Sequence, residues 1–275
     1  MYNDLMQIYD EYDDEPEDTF LPVDETRYSL FYDIEMGGFR DDLPFYRRHL
    51  PAAGQVLEIA CGTGRVGKAI AEPAGREVTG IDISLAMLRT ARRLGNCRNR
   101  YVVMDMCRLA FSTSFDAVII PYNSLNLLTD SQDIHACLSG CRQLLRAGGI
   151  LLLQLFVPGQ QLLQQAGQRT FQFQIFDDPQ IGRVIKEVRR TYLPATETLQ
   201  LEERYRLRPN RQDRKNEDLN REMEICARPA ERWFDLLTRT GFAVDRCYGS
   251  YDLSPFLAGR DSCLLLAASC LPPSR

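Results

Sequence analysis

A chain of 275 residues, 44% hydrophobic and 26% charged, has room for one large domain, or one domain and a lobe, around a sizeable core. It holds no apolar run of the ~18 residues that a membrane helix needs and no charged-then-apolar leader, so no membrane span or secretory signal is expected. A net charge of -5 argues against a general nucleic-acid binder.

Residues 1–35 carry twelve acids and one arginine, a formal -11 that leaves +6 for the rest of the chain. Seven of the acids fall within residues 10–18, which predicts a solvated segment. Aromatics are interleaved with them: Tyr2, Tyr9, Tyr12, Phe20, Tyr28, Phe31 and Tyr32. The segment 1–35 therefore reads as an acidic tail whose end near Tyr28 either docks on the fold or closes over an active site. Residues 41–48 predict a short helix, with acids and Pro44 at its start and Arg47 and Arg48 at its end.

The chain is organised around residues 56–65. Val56, Leu57, Ile59 and Ala60 form the near-continuous apolar run of a buried parallel strand. Gly62 and Gly64 allow a tight turn with close backbone approach to a ligand, and residues 66–71 start a helix. Glu58 is out of place there, because a buried carboxylate needs a polar or cationic partner. Asp82 ends the next apolar run, 20 residues after Gly62, the spacing of a ribose-binding acid. Ser84 caps a helix that holds Leu85, Met87, Leu88 and Ala91. Ile83 and Met87 could face a flat ring or belong to the core. Asp105 ends a third run, over residues 101–104.

Residues 115–120 predict a fourth strand that runs into Pro121, Tyr122, Asn123 and Ser124. Ligands bind outside the carboxyl ends of such strands, so Tyr122, Asn123 and Ser124 are placed at the crevice. Asn123 could instead be a turn residue bonding its own backbone. A helix from residue 130 or 131 keeps the 3.6 period through Ile134, Cys137, Leu138, Cys141 and Leu144, and Gly148 and Gly149 end it before a strand over 150–156. Residues 168–227 alternate with period two, as half-buried antiparallel strands do. Ten basic and five acidic residues lie between Arg183 and Lys215, and a solvated strand face accounts for them. A last helix opens at Pro229, and residues 242–248 and 263–269 make a closing antiparallel pair, with a hairpin tip at 248–252. Nine cysteines and two distant histidines lack metal-ligand spacing, so no metal centre is expected and a reducing cytoplasm is inferred.

The resulting expectation is an α/β fold. Its body is a doubly wound, seven-strand, mostly parallel sheet over 36–167 and 228–275, with an inserted antiparallel β lobe over 168–227.

Three motifs carry a family resemblance. Residues 58–65, E-I-A-C-G-T-G-R, residues 80–84, G-I-D-I-S, and residues 104–106, M-D-M, resemble the motifs of class I, Rossmann-like S-adenosylmethionine-dependent methyltransferases of the small-molecule type. The resemblance implies S-adenosyl-L-methionine as cofactor, S-adenosyl-L-homocysteine as product, and no metal. It assigns cofactor contacts to Tyr32, Glu58, Ala60, Cys61, Gly62, Gly64, Arg65, Asp82, Ile83, Met87, Asp105, Met106, Pro121 and Tyr122. Glu58 would serve the cofactor's ammonium, Asp82 its ribose and Asp105 its adenine. Tyr32 and Asn123 are the implied catalytic positions; Tyr28, Asn123 and Ser124 would meet the acceptor, a small molecule methylated on N, O or S. A homodimer is possible.

Two other readings stand beside it. Gly62-x-Gly64-x-x-Gly67 also matches a dinucleotide fingerprint, but Glu58 would oppose a pyrophosphate at that helix end. A catalytically silent cofactor-binding module that docks a partner is the other.

Overall fold

The computed structural model describes residues 20–71, 75–96, 98–211 and 213–271. The acidic stretch 1–19, with Tyr2, Tyr9 and Tyr12, lies outside the described residues, as does Cys97. The elements run β1 (Leu21–Pro22), α1 (Glu25–Met36), α2 (Leu43–His49), β2 (Gly54–Ile59), α3 (Arg65–Ala71), β3 (Arg76–Asp82), α4 (Leu85–Leu94), β4 (Asn99–Val103) and β5 (Phe115–Ile120). A 3₁₀ turn (Ser124–Leu127) follows, then α5 (Ser131–Leu144), β6 (Leu145–Phe156), α6 (Gln160–Gln164), β7 (Arg169–Asp178), β8 (Gly182–Leu193), β9 (Thr198–Arg208), β10 (Glu217–Cys226), α7 (Ala230–Arg239), β11 (Phe242–Tyr248) and β12 (Cys263–Cys270).

Seven strands form the main sheet in the order β11-β12-β6-β5-β2-β3-β4. β2, β3, β4, β5 and β6 pair in parallel, and β12 runs antiparallel to both β6 and β11. Successive residues of the central strands face opposite sides, which divides the core in two. Leu57, Ile59, Val118, Ile120, Leu151 and Leu153 pack with α5 and α7 on one face. Val56, Ala117, Ile119 and Leu152 pack with α2 and α3 on the other. Trp233 of α7 is fully buried in the first layer. The chain order reverses between β2 and β5, so the open crevice of this doubly wound sheet lies at their carboxyl ends.

The second sheet has the order β1-β10-β9-β8-β7. It is the expected lobe with two differences. β8 is a full strand where sequence alternation is weak, and β1 joins the lobe by pairing in parallel with β10. Residues 20–35 are therefore not separate from the lobe. α1 lies between the lobe and the main domain. Its Phe31 ring stacks on Tyr205 of β9, centroids 4.9 Å apart, and its Ser29 hydroxyl lies 3.2 Å from Thr90 of α4. Residues 145–149 differ as well: Gly148 and Gly149 do not end the helix but lie inside β6, where the register with β5 shifts. Tyr251 is more than a hairpin tip, since its hydroxyl accepts a 2.7 Å hydrogen bond from Gln154 of β6.

Candidate active site

A cavity of about 440 Å³ opens at the switch point, a size ordinary for a small-molecule site. Its floor is the loop after β2 and the loop after β3, its far end the loop after β5, its roof α1, and its remaining wall the inner face of β9 and β10.

The floor is built from backbone conformations that side chains resist. Ala60, Gly62 and Gly64 all have positive φ, at 52°, 53° and 79°. A Cβ on Gly62 would meet the Tyr32 ring at 3.5 Å, so the ring lies close over the turn. Tyr122 and Asn123 are left-handed too, at 50° and 60°. Non-glycine residues held this way cost of order 1–3 kcal/mol each, and such strain clusters at functional sites. Here Ala60, Tyr122 and Asn123 all line the cavity.

Asp82 is fixed from both sides. One carboxylate oxygen accepts the Gly62 amide at 2.8 Å, and the other accepts the Ser84 amide at 2.9 Å. Asp82 lines the cavity, and a carboxylate has more acceptor positions than these two bonds use. Burial raises the Asp82 pKa, and the Ser84, Gly62 and Ile83 amides oppose that shift. Beside it Ile83 is 74% exposed, an apolar side chain at the mouth with nothing over it among the described residues. Met87 is buried under it. Ser84 donates to Glu25 of α1 at 2.6 Å, which ties the roof to the rim. Burial raises the pKa values of the Tyr28 and Tyr32 phenols, so both stay protonated near neutrality.

Of the residues expected from sequence, Tyr28, Tyr32, Ala60, Gly62, Asp82, Ile83, Met87, Tyr122, Asn123 and Ser124 come together on the cavity wall. The others lie behind it. The Glu58 carboxyl is buried beneath the turn, against the Gly67 backbone, rather than at the strand's open end. Neither Glu58 oxygen has a hydrogen-bond partner of good geometry among the described residues; burial pushes its pKa up to about 8 against the opposing pull of the Arg65 charge and the nearby Gly67 amide. Cys61 and Gly64 are buried in the same turn, and Gly64 faces Tyr101 and Ala91. Arg65 turns away to a buried bidentate pair with Asp42, at 2.7 and 2.6 Å, and stacks on Phe39. Asp105 closes its own turn by accepting the Cys107 amide, Met106 packs on the core, and Pro121 is buried with its carbonyl held by Ser124.

Sequence reasoning missed Val23, Glu25, Leu127, Leu201, Arg221, Met223 and Ile225 on this wall. The last four belong to the lobe, and only its period-two pattern could have marked one face as inward. Asn126 is another omission: fully buried, it donates to the carbonyls of Phe156 (2.9 Å) and Cys226 (2.7 Å) and accepts the Phe156 amide (3.0 Å). Among the described residues no group of three or more His, Cys, Asp or Glu could hold a metal ion, and no helix is long and apolar enough to cross a membrane.

Residues 56–149 match the family model of a methyltransferase domain. The chain is 37% identical over 109 residues to a putative methyltransferase, YqeM, of Bacillus subtilis, covering 38% of this chain and 44% of that protein. It is 35% identical over 95 residues to a dTDP-3-amino-3,6-dideoxy-alpha-D-glucopyranose N,N-dimethyltransferase of Streptomyces fradiae, covering 34% of this chain and 35% of that one. The chain thus spans about half the length, or less, of these curated relatives. Among solved structures, S-adenosylmethionine-bound CalS10, an amino pentose methyltransferase of Micromonospora echinaspora, superposes with a TM-score of 0.65 at 21% identity. That superposition covers 88% of this chain and 96% of the other. Residues 56–149 thus match a methyltransferase domain, and the sheet that carries them has the Rossmann-like fold of that solved structure, extended by an antiparallel lobe.

Proposed function

We propose that the protein transfers a methyl group from S-adenosyl-L-methionine to a nitrogen of a small-molecule acceptor. The observation that carries the reading is the Asp82 carboxylate, whose oxygens are pre-oriented by the Gly62 and Ser84 amides beside a glycine turn and an uncovered Ile83. These groups fit the cofactor: two fixed acceptors for a ribose diol, a turn that admits close approach, and an apolar face for adenine. When bound, the cofactor supplies an electrophilic methyl on a sulfonium sulfur, open to displacement by a lone pair.

The chain's own part is positioning. Asp82 would take the ribose hydroxyls in charge-assisted bonds. The Tyr32 ring, close over the turn, would cover the reacting end and offer a π face to its positive charge. Asn123, held left-handed on the cavity wall, would turn its side chain to accept an N–H of the acceptor and aim its lone pair. Leu127, Leu201, Met223 and Ile225 would keep water out. Glu58 would act from behind, by shaping the turn.

Nitrogen is favoured because the wall offers no ready base. Both oxygens of Asp82 already hold amides, and Glu25 holds Ser84. The two tyrosines hold their protons. An amine needs only to arrive deprotonated, whereas a hydroxyl needs a base at the moment of attack. The amino-sugar substrate of the Streptomyces fradiae relative points the same way. Calorimetry should find binding of S-adenosylmethionine or S-adenosylhomocysteine in the micromolar range and far weaker binding of NAD. A mass-spectrometric methyl-transfer screen should then favour amines over thiols and phenols. Tighter binding of NAD than of either sulfur ligand would sink the proposal.

A further inference from the structure

Arg221 is a cation on the lobe side of the cavity. It sits on β10 in register with Glu203 of β9. Glu203 is already committed: Lys186 holds it at 2.9 Å and the Tyr205 hydroxyl at 3.1 Å, while Lys186 also holds Glu35 at 2.8 Å. The neighbouring arginines are paired as well, Arg204 with Glu202, Arg206 with Glu187 and Arg208 with Asp218. Among the described residues Arg221 makes no ion pair, and its Nη1 is buried with no hydrogen-bond partner. Its guanidinium rests on the Tyr28 ring, 3.8 Å from the centroid.

That arrangement is costly for a purely structural residue. A half-buried guanidinium with one orphaned N–H loses part of its hydration unless an anion replaces it. Stacking on Tyr28 fixes the guanidinium plane and leaves its edge, a fork that matches an oxyanion, for another partner. Arg221 and Tyr28 both line the cavity, with the apolar side chains of Leu201, Met223 and Ile225 around them. Among the described residues, the lobe's share of the cavity wall is three apolar side chains and the Arg221 cation.

We propose that Arg221, held by Tyr28, receives a carboxylate or phosphate of the methyl acceptor, and so restricts acceptors to amines that also carry an oxyanion. This rests on the methyltransferase reading. The lobe would then set specificity: the main sheet holds the cofactor, and β10 reads the acceptor's charge. Asn123, on the loop after β5, would take the amine end.

The test compares matched acceptors on the full-length protein: ethylamine against glycine, and an amino sugar against its phosphate ester. The charged member should be preferred by at least tenfold in kcat/KM, and the two pairs tell carboxylate from phosphate. Arg221→Gln should shrink that preference to within threefold while the Kd for S-adenosylmethionine stays within twofold. Arg221→Lys should restore part of it, since charge is kept but the fork is lost. A direct probe does not depend on turnover: titrating the unliganded and the S-adenosylhomocysteine-loaded protein with glycine and with inorganic pyrophosphate, native against Arg221→Gln. Saturable binding of one anion that Arg221→Gln weakens at least tenfold supports the proposal. Equal use of charged and neutral acceptors overturns it, as does anion binding indifferent to Arg221. A variant that loses cofactor affinity but keeps the native acceptor preference also overturns it, by placing Arg221 on the cofactor. If neither sulfur ligand binds, the methyltransferase reading fails while the anion titration still reports on Arg221.

Discussion

Asp82 ties two loops together at the place proposed for the cofactor's ribose. Because its oxygens accept the Gly62 and Ser84 amides, Asp82→Ala leaves two N–H groups wanting, at about 1–3 kcal/mol. The same change should weaken S-adenosylmethionine binding at least tenfold. Calorimetry and thermal melting of the free protein read the two effects separately, and unchanged affinity would mean that the ribose lies elsewhere. Glu58 makes a pH prediction. Its folded pKa, raised by burial to about 8, stands above its ordinary 4.5. The folded state therefore holds the proton more tightly than the unfolded one. The stability this contributes is fully present below pH 4.5 and is lost as pH rises through about 8. Glu58→Gln, neutral at every pH, should melt close to the native protein at pH 4.5 and clearly above it at pH 8.5. A native melting temperature that rises across that range with no gain from Glu58→Gln would show that the carboxyl is charged and satisfied. The sequence marks Glu58 as anomalous, but not the side of the turn on which its carboxyl lies, because that follows from α3 packing over β2.

At the scale of elements, the parallel strands were legible because both their faces are buried, which makes them continuous apolar runs. β4 is the instructive exception, an edge strand with Val102 and Val103 exposed, yet still apolar enough to be found. β8 was hidden. Its inward positions include Lys186, buried against Glu35 and Glu203, so alternation breaks where charge is neutralised across elements. α1 was hidden for a different reason: it packs on α4 on one side and on the lobe on the other, which erases a single apolar stripe. The half of the cavity wall made by the main sheet was therefore readable from its motifs, and the half made by the lobe was not. Asn126 links these halves by joining the 3₁₀ turn, the end of β6 and the end of β10. Asn126→Ala strands three backbone groups and should cost about 2–4 kcal/mol. Thermal melting and denaturant titration would check this, with a loss under ~0.5 kcal/mol counting against the linking role.

For the molecule as a whole, α1 and β1 make the cavity a closed structure rather than a cleft beside a lobe. On the lobe side, β1 pairs with β10, Arg27 bonds Glu217 at 2.6 Å, and Lys186 bonds Glu35. On the domain side, Glu25 bonds Ser84 and Ser29 reaches Thr90. Tyr28 and Tyr32 sit between these two sets of ties and face the cavity. A ligand that fills the cavity must touch α1, the lobe and the main sheet at once, so ordering should spread across all three. Hydrogen exchange should slow together in residues 25–36 and in β9 and β10 when S-adenosylmethionine binds, and slow further with an acceptor. Truncation tests the same claim through rate. The described contacts begin at Phe20, whose ring lies under Arg204 and Arg206, so removing residues 1–18 takes away none of them. Turnover should stay within about threefold, under 1 kcal/mol on the barrier. Removing residues 1–36 takes away the roof, both tyrosines and the partner of Lys186, leaving that ammonium with Glu203 alone. Turnover should then fall below detection while circular dichroism keeps the signal of the main sheet. Normal turnover by the longer deletion would mean that the acceptor is methylated outside this cavity, and Tyr28 and Tyr32 would lose their place in the site.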